Sequence, residues 1–292
     1  MKEPMIALYE AATYIYDPLH HFWEHDRTQR TVGGFLVFVF ILALAAIEMK
    51  RQGFISGGLA EHIPTSHYMA INMAFTLVLI LEVVSLIFSL PCSISKSVGR
   101  QFQILALILL RSAFKTLADF PEPITITGHE QELWIIITDG GGAVAIFALL
   151  GVYRLLQGKL DETIKGGPTL FRFVAAKKMV ALVMLCVFLV MGVQNGLNML
   201  HGGESHKFFQ NFYTVLIFSD IMLVLIAQRF LPEFRAVFRN SGFALATLLI
   251  RLALTAPPYY NVAIGVGAAI FACLLTLTYN VFYSSTSRFA RK

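Results

Sequence analysis

Charge is what this chain has least of. Of its 292 residues only 14% are Asp, Glu, Lys or Arg, where a soluble domain carries roughly 25%. With 57% hydrophobic residues and a mean hydropathy of +0.67, a chain dissolved wholly in water is excluded, and most of its surface is expected to face lipid. Cysteine is also scarce: Cys92, Cys186 and Cys273 share no common spacing, so neither a disulfide framework nor a cysteine metal site is expected. The first 30 residues hold no compact charged-then-apolar leader with a small-residue cleavage site. No glycine loop of the phosphate-binding kind occurs: Gly166-Gly167-Pro168 lacks the following Lys-Ser/Thr, and Gly140–Gly142 falls inside an apolar run. No Ser-His-Asp or Cys-His arrangement suggests a nucleophile, and no enzyme is expected.

Apolar runs are plentiful. Eight stretches reach the roughly 20 residues that span a bilayer as helix: 32–50, 68–90, 100–118, 133–157, 177–200, 209–231, 241–256 and 259–283. Lysine and arginine then set the orientation. Lys50, Arg51 and Lys207 fall on one side, Arg111, Lys115 and Arg251 fall within or near spans, and the other side keeps 17 of the 23 basic residues. The positive-inside rule makes that richer side cytoplasmic, with both termini on it. The net charge of +5 is thus a topology signal, and no nucleic-acid partner is expected. Residues 1–31 (Met5, Ile6, Leu8, Tyr9, Ala12, Ile15, Tyr16) read as a partly amphipathic segment lying on the inner surface.

The few membrane charges come twice. Ser66-His67, Asn72, Glu82, Pro91, Arg100 and Arg111 are followed, 138 to 141 residues later, by Ser205-His206, Asn211, Asp220, Pro232, Arg239 and Arg251 in the same order. A four-span repeat preserves orientation, so the copies are expected to be parallel. The fold expected is an all-α integral membrane protein of two parallel-repeat four-helix bundles. The units are 32–157 and 177–284, joined by a basic connector, 158–176, with an interfacial helix ending at Lys177-Lys178. A basic tail, 285–292, closes the chain. In the fourth spans Gly141-Gly142-Ala143 echoes Gly265-Val266-Gly267-Ala268, small residues that permit close helix contact.

An ionisable group within a span is costly and is a functional hypothesis by default. At 1.5 Å per residue, Glu82 lies about 13 Å from the cytoplasmic end and Arg111 about 16 Å. Asp220 and Arg251 come out similarly, so each acid sits at the depth of the next span's arginine. Pairing avoids an uncompensated charge in low dielectric, and the spacing leaves open whether pairs form within or between units. Lys115 lies one turn beyond Arg111, and Asp139 can face it, extending the first pair; the second copy has Thr255 and Ala263 there. Only one deep arginine per unit argues against a stacked voltage sensor. Among eight histidines, His21 and His25 are four apart, a spacing that suits a metal, and His67 and His206 lie at the outer starts of spans. Interfacial and capping roles fit these better than haem or metal ligation, and no cofactor is expected.

The stretch from Asp220 through Ile250-Arg251-Leu252-Ala253-Leu254 to Tyr279 resembles the phosphate-starvation-inducible E (PsiE) family of small four-helix inner-membrane proteins. Glu82 with Leu110-Arg111-Ser112-Ala113-Phe114 is similar. The resemblance implies one family-sized unit in each half, a bacterial inner-membrane location and no established biochemical activity. On this basis the chain is expected to be a non-catalytic structural or accessory membrane subunit, its partners being lipid and other membrane proteins or further copies of itself. An ion- or proton-conducting or voltage-sensor-like protein and a haem or metal protein are the alternatives.

Overall fold

The computed structural model describes residues 3–54, 64–121, 124–157, 168–200 and 208–289. Among these residues there is no strand. The helices are α1 (Glu3–Glu24), α2 (Asp26–Arg51), α3 (Tyr68–Ser89), α4 (Ile94–Lys115, continued by a 3₁₀ turn at Thr116–Asp119), α5 (Glu130–Leu156), α6 (Pro168–Leu200), α7 (Phe208–Phe230), α8 (Phe234–Thr255) and α9 (Tyr260–Phe289). Eight of them, α2 to α9, are long and apolar enough to cross a membrane. Hydrocarbon offers no partner for a free N–H or C=O, so an apolar run of this length must satisfy its backbone internally, as helix.

Proline marks three of the breaks. Pro91 follows the end of α3 and Pro232 the end of α7. Pro257-Pro258 separates α8 from α9, and there Tyr259 takes a left-handed φ of 70°, a conformation that costs a side chain with a Cβ about 1–2 kcal/mol. Several helices overrun the apolar stretches that announce them. The largest overrun is in α6, where the basic segment around Arg172, Lys177 and Lys178 is the opening of one continuous helix, not a separate interfacial one. Hydropathy marks the part bathed in lipid, whereas backbone hydrogen bonding continues past it. Of the connector, 158–167 lies outside the described residues, as do 290–292 of the tail.

The two main cores each draw on both halves of the chain, 32–157 and 177–284. One core joins α4, α5, α8 and α9 through Phe102, Leu105, Ile146, Tyr153, Phe243 and Ile250. A second joins α3, α6 and α7 to Tyr16 of α1, through Val83, Ile87, Met184, Phe188, Phe212 and Leu216. Two causes are visible. First, α2 stands apart: 6% of its apolar window is buried, against 28–44% for the other spans. Its own core contribution is Ala43 and Ile47 against Ala70. Second, the last two spans of each half carry small residues where they meet. A Cβ on Gly142 would run into Val262, one on Gly242 would come to 2.6 Å from Leu275, and one on Gly265 to 3.0 Å from Ile146. These glycines bring α5 onto α9 and α9 onto α8, whereas Gly140, Gly141 and Gly267 face open space.

The N-terminal helix α1 is docked at the end of the bundle that carries the basic residues. Tyr16 donates to the Phe88 carbonyl at 2.7 Å and Trp23 Nε1 to Ser85 Oγ at 2.9 Å. Asp17 pairs with Lys178 at 2.6 Å and Glu24 with Arg100 at 2.8 Å. Burial raises the Tyr16 hydroxyl well above the usual tyrosine range. The chain then breaks at His25 and enters α2, so the α1–α2 junction lies against α3 beside Ser85.

Candidate functional site

Glu82 sits in α3 on the face that carries Val83, Leu86 and Ile87 into the core. Packing of α3 on α4 brings its carboxylate onto the Arg111 guanidinium, and the two form an ion pair with 10% and 26% side-chain exposure. The pair is not closed in. It forms part of the wall of a cleft of about 310 Å³ between α2 and the α3–α4 pair. Trp23, Thr28 and Gln29 stand at the basic end of this cleft, and Val32, Leu36 and Leu107 are among its apolar walls. A second hollow of about 200 Å³ adjoins it, sharing Trp23, Gln29 and Ser85, and extends to the Glu24–Arg100 pair. The cleft lies beside the first half of α2, lined there by Thr28, Gln29, Val32, Gly33 and Leu36, whereas its second half meets α3 through Ala43 and Ile47 against Ala70.

Asp220 in α7 meets Arg251 in α8 in a different setting. Arg251 Nε lies 3.6 Å from Asp220 Oδ2, with side-chain exposures of 0% and 7%. Where α2 leaves a gap in the N-terminal half, α6 packs Val180, Ala181, Met184 and Phe188 against α7. The hollow beside Asp220 measures about 30 Å³ and is bordered by Gln101, Ser97 and Thr247. That is room for about one water. Both pairs form within their own half. Tyr213 of α7 is buried in the core that Val83, the residue after Glu82, also enters. Tyr213 sits among Phe209, Phe212 and Leu216, and nothing in its apolar surroundings distinguishes it from a core aromatic in the sequence.

Lys115 and Asp139 are not brought together. Lys115 closes α4 with its side chain exposed, as a long cationic stem near a helix end does when its head finds water. Asp139 is 1% exposed and faces α9, where Asn261 Nδ2 donates to its Oδ1 at 2.9 Å. Asn261 is thus an Asp139 partner that sequence spacing does not reveal, because the contact crosses 122 positions.

The candidate histidines among the described residues already have contacts. The helical face expected to hold His21 and His25 together is interrupted, since α1 ends at Glu24. His25 caps α2, its Nδ1 accepting from Arg27 N at 3.1 Å, and its ring meets His21 edge-on at 5.9 Å. His67 ties α2 to α3, with Nε2 at 3.1 Å from Glu48 and Nδ1 at 2.9 Å from Arg51. His206 lies outside the described residues. No group of three or more His, Cys, Asp or Glu among the described residues is arranged to hold a metal. Lys177, expected at the end of an interfacial helix, is 2% exposed; its Nζ donates to the Cys92 carbonyl at 3.3 Å and lies 4.2 Å from the Phe173 ring centre. No protein-family model, curated protein or solved structure matches the chain.

Proposed function

We propose that this chain is a non-catalytic protein of the bacterial inner membrane, a tandem parallel repeat of a four-span PsiE-like unit acting as a structural or accessory subunit of a membrane assembly. The observation that carries this reading is the Asp220–Arg251 pair, an acid and an arginine withdrawn from solvent between two spans. Such a pair fixes helix register without offering a reacting group. The order of acid and arginine in both halves supports the repeat, as does the side-by-side packing of α4 with α8 and of α5 with α9. The excess of basic residues at one end supports cytoplasmic termini. Exposed apolar residues along α2, Phe35, Val37, Phe38, Ile41 and Leu42 among them, suit lipid or an apolar partner. Native separation of source membranes in mild detergent tests the accessory role: stoichiometric comigration with a larger complex is expected, and migration alone would remove its main support.

One observation favours a second reading. The Glu82–Arg111 pair lies in the wall of a cleft, and an intramembrane pair with one partner partly exposed suits ion or proton movement better than a brace does. In that reading Glu82→Gln abolishes flux across vesicles and leaves the protein folded. Equal flux with and without Glu82 and Asp220 would end it.

A further inference from the structure

The two acid–arginine pairs match in sequence order but differ in what surrounds them, and the difference has a chemical consequence. Protonating Asp220 would strand the Arg251 cation at 0% side-chain exposure, with no hydrogen-bond partner for Nη1 or Nη2 among the described residues. A buried charge without compensation is strongly disfavoured. In the pair Glu82 Oε1 and Oε2 are themselves buried, so the carboxyl reaches the cleft by swinging off Arg111; that strands nothing comparable, because the Arg111 side chain is 26% exposed and lines a cleft large enough for several waters. The cleft is also reached by a polar route. From the Glu24–Arg100 pair at the basic end it passes Gln29 and Ser85 before Glu82.

We infer that Glu82 is a proton-exchanging carboxyl served by water from the basic end of the molecule through the cleft beside α2, and that Asp220 is a permanently ionised brace. Arg111 of α4 is the charged group that meets Glu82, and the titratable Tyr213 of α7 lies in the core that Val83 enters beside it. From the α1–α2 side the cleft is lined by Trp23, Thr28, Gln29, Val32, Gly33 and Leu36, none of them titratable. The proton therefore exchanges with water in the cleft, and Arg111 stays charged when Glu82 is neutral. The inference deepens the second functional reading and rests on its premise that Glu82 can release Arg111.

A water-soluble carbodiimide tests it on the full chain in sealed phosphatidylcholine vesicles. The reagent adds to a protonated carboxyl: the acid proton goes to one carbodiimide nitrogen and the carboxyl oxygen to the central carbon. Acyl migration to nitrogen then gives a stable acylurea, and nothing leaves. Peptide mass spectrometry is expected to find the adduct on Glu82, with labelling at least about tenfold faster than at Asp220. Labelling should slow as pH rises and should disappear in Glu82→Gln. A Val32→Trp variant, which fills the cleft without touching the pair, should protect Glu82 while the protein stays monodisperse. Equal labelling of Asp220, a Glu82 that never reacts, or a Val32→Trp protein labelled as fast as the parent would each overturn the inference. If Glu82 reacts as described but the vesicles pass no protons, the conduction reading falls and the assignment of Glu82 as the accessible acid stands.

Discussion

At the scale of single residues, the surroundings of a charge decide its cost more than its depth does. Asp220→Asn leaves Arg251 buried and uncompensated, and a loss of about 3–5 kcal/mol is expected from thermal or denaturant unfolding in detergent. Glu82→Gln leaves Arg111 partly exposed on a cleft, so a smaller loss is expected, about 1–2 kcal/mol. The docking of α1 offers a separate check. Tyr16 loses its hydrogen bond to the Phe88 carbonyl in Tyr16→Phe, for about 1 kcal/mol. Because burial raises the Tyr16 pKa, the unfolded chain loses this proton first, from about pH 10 upward. The bond's contribution is therefore complete below that pH and falls above it. Proteolytic release of α1 should rise with pH there, and Tyr16→Phe should remove the part of that rise due to this group. The charge pairs were legible in the sequence because ionisable residues are conspicuous in apolar text. Tyr213 and Asn261 were not, since each looks like its neighbours until a helix distant in sequence packs against it.

At the scale of elements, hydropathy located all eight spans but misplaced several of their ends. It sees lipid exposure, while helix termination is decided by backbone hydrogen bonding and by residues such as Pro91, Pro232 and Pro257. It also overlooked that α6 is one helix from Pro168, because Lys177 and Arg172 look interfacial until Phe173 and the Cys92 carbonyl are seen to receive Lys177. The glycine runs were read as packing sites, and the structure separates their members. Gly142 meets Val262 across the α5–α9 contact, whereas Gly141, one position away, faces open space. Gly142→Leu is expected to destabilise by about 1–3 kcal/mol through overpacking. Gly141→Leu should be neutral or mildly stabilising, since leucine is the better helix former. Thermal unfolding of the two variants side by side distinguishes a contact-specific effect from a general one.

At the scale of the whole molecule, the order of residues recurs in the two halves, and each main core draws on both of them. Sequence order records which residues recur; it does not record which surfaces meet. The decisive difference is small in sequence terms. Both halves begin with an apolar span, but α6 is packed into the interior beside α3 and α7, while α2 leans on α3 through Ala43 and Ile47 and leaves the cleft at its other end. One half therefore presents its charge pair and the other conceals it. The same asymmetry makes α2 the span most available to lipid or to a partner, so α2 is expected to be the span that crosslinks to any protein comigrating with this one, and α9 or α6 crosslinking alone would contradict that placement.

The measurement that bears most directly on this account is a pair of double-mutant unfolding cycles in detergent, one on Asp220→Asn with Arg251→Met and one on Glu82→Gln with Arg111→Met. The account predicts a strong coupling at the first pair: the Asp220→Asn loss is largely recovered when Arg251 is also replaced, because the stranded charge is gone. It predicts a coupling less than half as large at Glu82–Arg111. Equal couplings, or a larger one at Glu82–Arg111, would contradict the assignment of one locked brace and one accessible pair.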